Sequence, residues 1–537
     1  MIDNMETSIG RAATWNRPSN LSGMRSNFDL DEKIIKTVEN LPKLKYVRDK
    51  IKSKSYTSRY DIINYLSEFT FDFITSMRKI FLILKNLIIN LFLDRTEIVN
   101  SLSKINRSII LTRLFMKGAE ERSLAGGTFM KRHVIAGLEV FEFDHKDSDQ
   151  DQQRPSMIYY HGGGFIYCSP NHEYKYFLSK LSKLLKIKIF AINYKKAPET
   201  HFPNLTDFTY TTTLELLNNP DKFNFNLKSY ILGGDSAGAL ILISNLYTMA
   251  VLGKNGGRKL LRENPPFMNF MISGAYNGLY AEVPSCHDQA CIKRFPLKSV
   301  AYFSGIFLQG QEMLEKFHHG GFEYLYDYGM SGQFLVNRDI RKHLNIENFD
   351  LKKYLPVEFR TGCFAIEKPY FKFSIDDKII DVESLSKMSS IEDIDDVGFE
   401  SSPLRTKTRK MTNMTNFEKN ENIGHKLTLT AVKDPRSFPM NISNADLTTI
   451  FNCLPKSTIN LFEISEFDCF RDDGVMMANR FIENGGRVVW RVHDRVKHCF
   501  PMCSYLLNKL WGSYDKAALI MLEDVWYGIL DHQSRTS

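Results

Sequence analysis

The spacing of apolar positions changes character several times along the chain. Residues 1–30 are polar, with many Asn, Ser and Arg, and predict a disordered tail. From 31 to 117 apolar residues recur every three or four positions, as in "YDIINYLSEFTFDFITSMRKIFLILKNLIINLFL", and predict a helical block. After that the pattern alternates between strand and helix periods. "HVIAGLEVFEF" (133–143), "SMIYY" (156–160), "IKIFAINY" (187–194), "SYILGG" (229–234) and "PFMNFMISG" (266–274) read as strands. Between them "HEYKYFLSKLSKLL" (172–185), "NLTDFTYTTTLELL" (204–217) and "ALILISNLYTMAVLG" (239–253) read as helices. That order predicts a mostly parallel sheet covered by helices on both faces.

The alternation lapses after 277. Residues 278–365 are rich in aromatic residues and predict helices with loops, while 366–430 holds an acidic, serine-rich run followed by the basic "SSPLRTKTRKMTN". With so little to bury, the stretch 374–426 predicts a disordered polar insertion, and its hydroxyls beside Arg405, Lys407, Arg409 and Lys410 make it a candidate phosphorylation loop. From 431 to 537 the sheet pattern resumes: "STINLFEIS" (457–465) as strand, "DGVMMANRFIEN" as helix, "GRVVWRVH" (486–493) as strand, then a helical tail.

Composition narrows the classes. At 537 residues, 43% hydrophobic and 25% charged, the chain has ordinary globular composition and length for one large domain with insertions, or two domains. The net charge of +8 is scattered, which argues against a nucleic-acid partner. Neither "CHDQAC" nor "HCFPMC" has paired metal-ligand spacing, so no metal is expected. No secretory signal is expected in residues 1–30, and the compartment stays open between cytoplasm and a membrane surface. The apolar run 79–93 carries Lys85, Asn86 and Asn90 and predicts an amphipathic helix, packed on the core or lying peripherally in a membrane interface.

The chemistry begins at "GGDSAGA" (233–239), where a predicted strand meets a predicted helix. Gly234, Asp235, Ser236, Ala237 and Gly238 form Gly-x-Ser-x-Gly, the sequence of a tight turn that lifts a serine hydroxyl above a sheet. Such a hydroxyl needs a base, and the base an orienting acid, each in a loop after a later strand. The strand 457–465 leads into "EFDCFRDDG", offering Asp468, Asp472 and Asp473; Asp468, nearest the strand end, is preferred. The next strand leads into "DRVKHCFP", which offers His498, whereas His493 falls within the strand's own pattern. Upstream, "YYHGGGF" leaves three bare backbone positions after an early strand. Amides aimed at a developing oxyanion are each worth about 3–4 kcal/mol. Gly163, Gly164 and Ala237 are the expected donors, with Gly162 a further candidate and His161 holding the loop rather than acting as base.

These residues resemble a known family. "YYHGGGF", "NYKKAPETHFP", "GGDSAGA", "EFDCFRDDG" and "KHCFP" are similar, in this order, to the motifs of the hormone-sensitive-lipase-like α/β-hydrolases, nearest the arylacetamide deacetylase and neutral cholesterol ester hydrolase branch. "VPSCHD" and "RKHLNIENFDLKKYLP" echo that branch. The resemblance implies an α/β-hydrolase fold with 118–277 and 431–537 as its core and a helical cap from 31–117 and 278–365. It implies a catalytic triad of Ser236, Asp468 and His498, and a cofactor-free serine carboxylesterase or deacetylase acting on lipophilic esters, among them arylacetamides and neutral lipid esters. Two departures stand out: Lys195 replaces the commoner arginine, and Cys499 replaces the glycine usual after the histidine. The alternative reading is a non-catalytic, receptor-like ligand-binding member of the same fold.

Overall fold

The computed structural model describes residues 13–14, 24–53, 123–145, 154–276 except 166, 197–199, 201 and 202, then 372–375, 378–381, 434–504 except 469 and 499, and 514–536. The run 79–93, Cys499, residues 278–365 and all but two short strands of the insertion lie outside them.

Ten strands form one sheet: β1 (Ala13–Thr14), β2 (Met24–Ser26), β3 (Thr128–Ile135), β4 (Leu138–His145), β5 (Ser156–Tyr160), β6 (Lys188–Asn193), β7 (Tyr230–Asp235), β8 (Met268–Ile272) and, late in the chain, Ile459–Phe467 and Arg487–Lys497. Between β8 and the last two, β9 (Lys372–Ile375) and β10 (Lys378–Asp381) form a separate antiparallel hairpin. The late pair are therefore β11 and β12. The spatial order is β1-β2-β12-β11-β8-β7-β5-β6-β4-β3. β6, β5, β7, β8, β11 and β12 run parallel, while β3, β4 and β2 add antiparallel edges.

The central strands are continuous apolar runs because both faces are covered. Alternate residues serve opposite layers. Ile158, Tyr160, Leu232, Met271 and Phe462 face helices Asn204–Asn218, Ala237–Tyr247, Asn444–Cys453 and Arg471–Glu483. Met157, Tyr159, Ile231, Phe270 and Leu461 face helices Lys175–Leu185 and Asp515–Thr536. From β5 the chain winds outward to β6, then crosses back over β5 to β7. The direction of winding reverses between β5 and β7, and at such a reversal a crevice opens beyond the strands' carboxyl ends.

Several expectations need correction. The single strand expected at 133–143 is a hairpin of β3 and β4 turning at Ala136 and Gly137, both at positive φ (48° and 80°). Inside the expected disordered tail, β2 pairs antiparallel with β12; Asn27 fixes it by donating from Nδ2 to the Gly486 carbonyl (2.8 Å) and accepting the Val488 amide (2.9 Å). The hairpin β9–β10 falls at the start of the expected disordered insertion, where Phe373, Ile375, Ile379 and Ile380 supply β-forming residues. Helices Glu32–Asn40 and Pro42–Ser53 are helical as expected. They join the layer on the second face, with Ile34, Ile35, Val38 and Leu44 buried in its core, which differs from the cap expected for 31–117. β12 also runs on to Lys497, four residues past the predicted end.

Candidate active site

The sheet register brings the site's residues out of the sheet in two pairs. β5 pairs with β7 with Tyr160 opposite Gly234, so His161–Gly162 and Asp235–Ser236 leave the ladder side by side. β11 pairs with β12 through Phe467 opposite Lys497, so Asp468 and His498 leave together.

At the end of β7, Ser236 has φ 52° and ψ −119°, a conformation that residues with a Cβ avoid and that costs on the order of 1–3 kcal/mol. Its amide donates to the Ile272 carbonyl (2.9 Å) and its carbonyl accepts from Ala275 (3.1 Å), so the neighbouring β8 holds the turn. Small neighbours are obligatory there. A Cβ on Gly238 would lie 1.8 Å from the Tyr160 carbonyl oxygen, and one on Gly234 would lie 2.6 Å from the Gly238 backbone.

The serine hydroxyl is 2.9 Å from His498 Nε2, and His498 Nδ1 is 2.7 Å from Asp468 Oδ2. Asp468 Oδ1 accepts the Phe470 amide at 2.9 Å, which fixes the carboxylate, and the Phe470 ring lies 5.3 Å from the imidazole. All three side chains are buried. The chain of contacts requires Nδ1–H to donate to Asp468 and leaves Nε2 as the acceptor for the serine proton. The competing residues stand elsewhere. His493 is hydrogen-bonded to Glu463 within the sheet, and Asp472 and Asp473 begin the helix that follows Asp468.

The glycine loop is fastened by Asp235 of the Gly-x-Ser-x-Gly motif and by two tyrosines, Tyr159 and Tyr174. The Gly162 amide donates to both Asp235 Oδ1 and the Tyr174 hydroxyl, each at 3.0 Å, so this further candidate donor is already engaged. Tyr174 donates to Asp235 Oδ2 (2.6 Å) and Tyr159 to Oδ1 (2.7 Å). Asp235, beside Ser236 in sequence, thus clamps the loop. A Cβ on Gly162 would lie 2.4 Å from Asp235 Oδ2, and one on Gly163, at φ 112°, 2.3 Å from the Tyr167 carbonyl. Among the described residues no acceptor meets the amides of Gly163, Gly164 or Ala237.

His161 is fully buried, with Nδ1 donating to the Gly162 carbonyl (2.6 Å) and its ring stacked 4.2 Å from Tyr194. Tyr194 in turn donates to the His161 carbonyl at 2.9 Å. Burial, with the Lys196 ammonium nearby, pushes the imidazole well below its ordinary range. It is therefore neutral and structural. Lys195, where an arginine is commoner, lies with its ammonium 4.3 Å over the Phe208 ring. Tyr194 stands in the motif "NYKKAPE", but nothing local marks Tyr174, whose acceptor lies 61 residues away.

Residues 157–273 match the family described as alpha/beta hydrolase fold, the segment that runs from β5 through the Ser236 turn to the end of β8. The fold is that of an α/β-hydrolase. Two curated relatives match parts of it. Probable carboxylesterase 2 of Arabidopsis thaliana is 33% identical over 122 residues, covering 21% of this chain and 39% of that protein. An AB hydrolase superfamily protein of Schizosaccharomyces pombe is 30% identical over 87 residues, covering 16% and 25%. The chain thus spans well under half the length of either. Carboxyl esterase 2 from the mycorrhizal fungus Tuber melanosporum has a TM-score of 0.40 at 15% identity, over 76% of this chain and 88% of that one. No group of three or more His, Cys, Asp or Glu among the described residues is arranged to hold a metal ion.

Proposed function

We propose that the protein is a serine carboxylesterase that hydrolyses lipophilic carboxylic esters through an acyl-enzyme. The observation that carries this is the continuous contact from Ser236 Oγ through the His498 imidazole to Asp468, on a strained turn after β7. Ser236 attacks the ester carbonyl as His498 Nε2 takes its proton. The oxyanion that forms is held by the amides of Gly163, Gly164 and Ala237. His498 then protonates the departing alcohol, and water releases the acid by the same route. Asp468 holds the imidazole in the needed tautomer and stabilises its charge. The carboxylesterase name of a matching relative supports the reaction class. Resemblance to the arylacetamide deacetylase branch makes acetyl esters, arylacetamides and neutral lipid esters the first substrates to try.

The test is labelling with a fluorophosphonate probe, mapping of the modified residue, and turnover of aryl esters of rising chain length. Labelling is expected at Ser236, and Ser236→Ala is expected to lose roughly 1,000-fold or more of the turnover, since such residues act as a unit. Wild-type turnover no higher than that of Ser236→Ala would remove the reading.

A further inference from the structure

A second carboxylate–histidine pair lies below the first. Glu463 and His493 sit five residues before Asp468 and His498 on the same two strands, β11 and β12. They are hydrogen-bonded to each other through Oε2 and Nε2, and both are buried. The triad reading leaves this pair without a use.

Its position gives it one. Regular pairing of β11 with β12 runs as far as Ser465 opposite His493, and resumes only at Phe467 opposite Lys497. β12 therefore takes four steps where β11 takes two. A bulge of this kind interrupts the ladder and bends the strand. Ladder hydrogen bonds across it cannot alone fix the direction in which His498 leaves the sheet. His493 bridges the gap from both sides. It is bonded to β11 through Glu463, and its ring lies 4.4 Å from that of Phe500, two residues past His498. The pair is itself held from the C-terminal helix: Arg491, two residues before His493, bonds Asp524 through Nε (2.7 Å) and Nη2 (3.0 Å). Burial, opposed by the Arg491 charge, pushes Glu463 up to about 7, so the carboxyl can lie buried against an imidazole without a full charge.

We infer that Glu463 and His493 are positioning residues that hold the β12 bulge in the one shape that sets His498 between Asp468 and Ser236. The inference rests on reading Ser236 as an activated nucleophile, not on any particular ester. Misplacement of a reacting group by about 1 Å costs on the order of 100-fold.

The readout is the second-order rate of fluorophosphonate labelling at Ser236 in the full chain, with thermal melts of each variant. Glu463→Leu combined with His493→Phe removes both partners of this hydrogen bond together, while Arg491 and Asp524, the other polar neighbours of Glu463, keep their two hydrogen bonds to each other, and the fold is retained. Its labelling rate is expected to fall roughly 10- to 100-fold while its melting temperature stays within a few degrees of wild type. His493→Phe alone, which keeps the ring against Phe500, is expected to show the same loss and serves if the double variant does not melt cooperatively. Glu463→Gln keeps a hydrogen-bonding partner for the imidazole and is expected to label within about threefold of wild type. A folded double variant or His493→Phe that labels at the wild-type rate would overturn the inference. Wild type that labels at Ser236 but turns over no ester would sink the esterase reading alone. Wild type that does not label would sink both.

Discussion

At His161 a single imidazole makes stability depend on pH. The ring is fully buried between Tyr194 and Tyr174, bonded to its own loop, and its pKa lies well below 6.5 in the fold. Above about pH 6.5 the ring is neutral in both the folded and the unfolded chain. As pH falls below that value the unfolded chain takes up a proton that the folded chain does not. Stability present above pH 6.5 is therefore lost progressively on acidification, by up to about 1.4 kcal/mol per pH unit from this group. His161→Asn should melt with a shallower dependence on pH than wild type between pH 5 and 7. Parallel curves from the two proteins would show that His161 does not titrate this way. The same residue illustrates why site chemistry is partly hidden in sequence. "HGGG" signals a loop that something must approach. That its first glycine amide is consumed by Asp235 and Tyr174, while no acceptor among the described residues meets the next two, depends on contacts 73 and 12 residues away.

Among the elements, those buried on both faces were legible and those at the edges were not. β5, β6, β7 and β8 fall within one or two residues of their expected ends, because continuous apolar runs bounded by turn residues have few other readings. The β3–β4 hairpin was missed for a definite reason. Its two-residue turn needs positive φ at both positions, which Asn-Gly or Gly-Gly would have announced, yet Ala136 occupies the first. β2 was missed because three residues, one of them an arginine over Trp490, carry no periodicity. The bulge in β12 escaped as well, since "VHDRVKH" has neither glycine nor proline to mark it. Ala136 supplies a test at this scale. A left-handed conformation costs an L-residue with a Cβ about 1–2 kcal/mol, and Asn tolerates it better. Ala136→Asn is expected to stabilise the fold by roughly 0.5–1 kcal/mol in urea titration, with no effect on Ser236 labelling. A lower midpoint would show that the turn is not strained at this residue.

Across the whole molecule, the site joins Ser236 to His498, 262 residues further along the chain, and the C-terminal helix Asp515–Thr536 braces that joint from behind. It buries Leu519, Met521, Leu522 and Val525 against the sheet's second face. Helix Pro42–Ser53 is tied to it by the Arg48–Glu523 ion pair, the chain before Glu32 by the Asp31 amide on the Tyr527 hydroxyl (3.0 Å), and helix Lys175–Leu185 by Trp526 Nε1 on the Leu184 carbonyl (3.2 Å). Two ion pairs link it to β12: Arg487–Asp531 and, at 1% and 3% side-chain exposure, the deeper Arg491–Asp524. At that depth the desolvation cost nearly cancels the attraction, so the pair as a whole adds little, but a survivor left alone is costly. Asp524→Ala should therefore destabilise the fold by about 3–5 kcal/mol, because the buried Arg491 guanidinium loses both of its hydrogen bonds to Asp524. Arg491→Met combined with Asp524→Leu should recover most of that loss, since both charges are removed and apolar volume is kept. Urea unfolding of the two variants beside wild type decides the matter. A double variant as unstable as Asp524→Ala would mean that the ion pair itself, and not merely the absence of an orphaned charge, anchors the helix to β12.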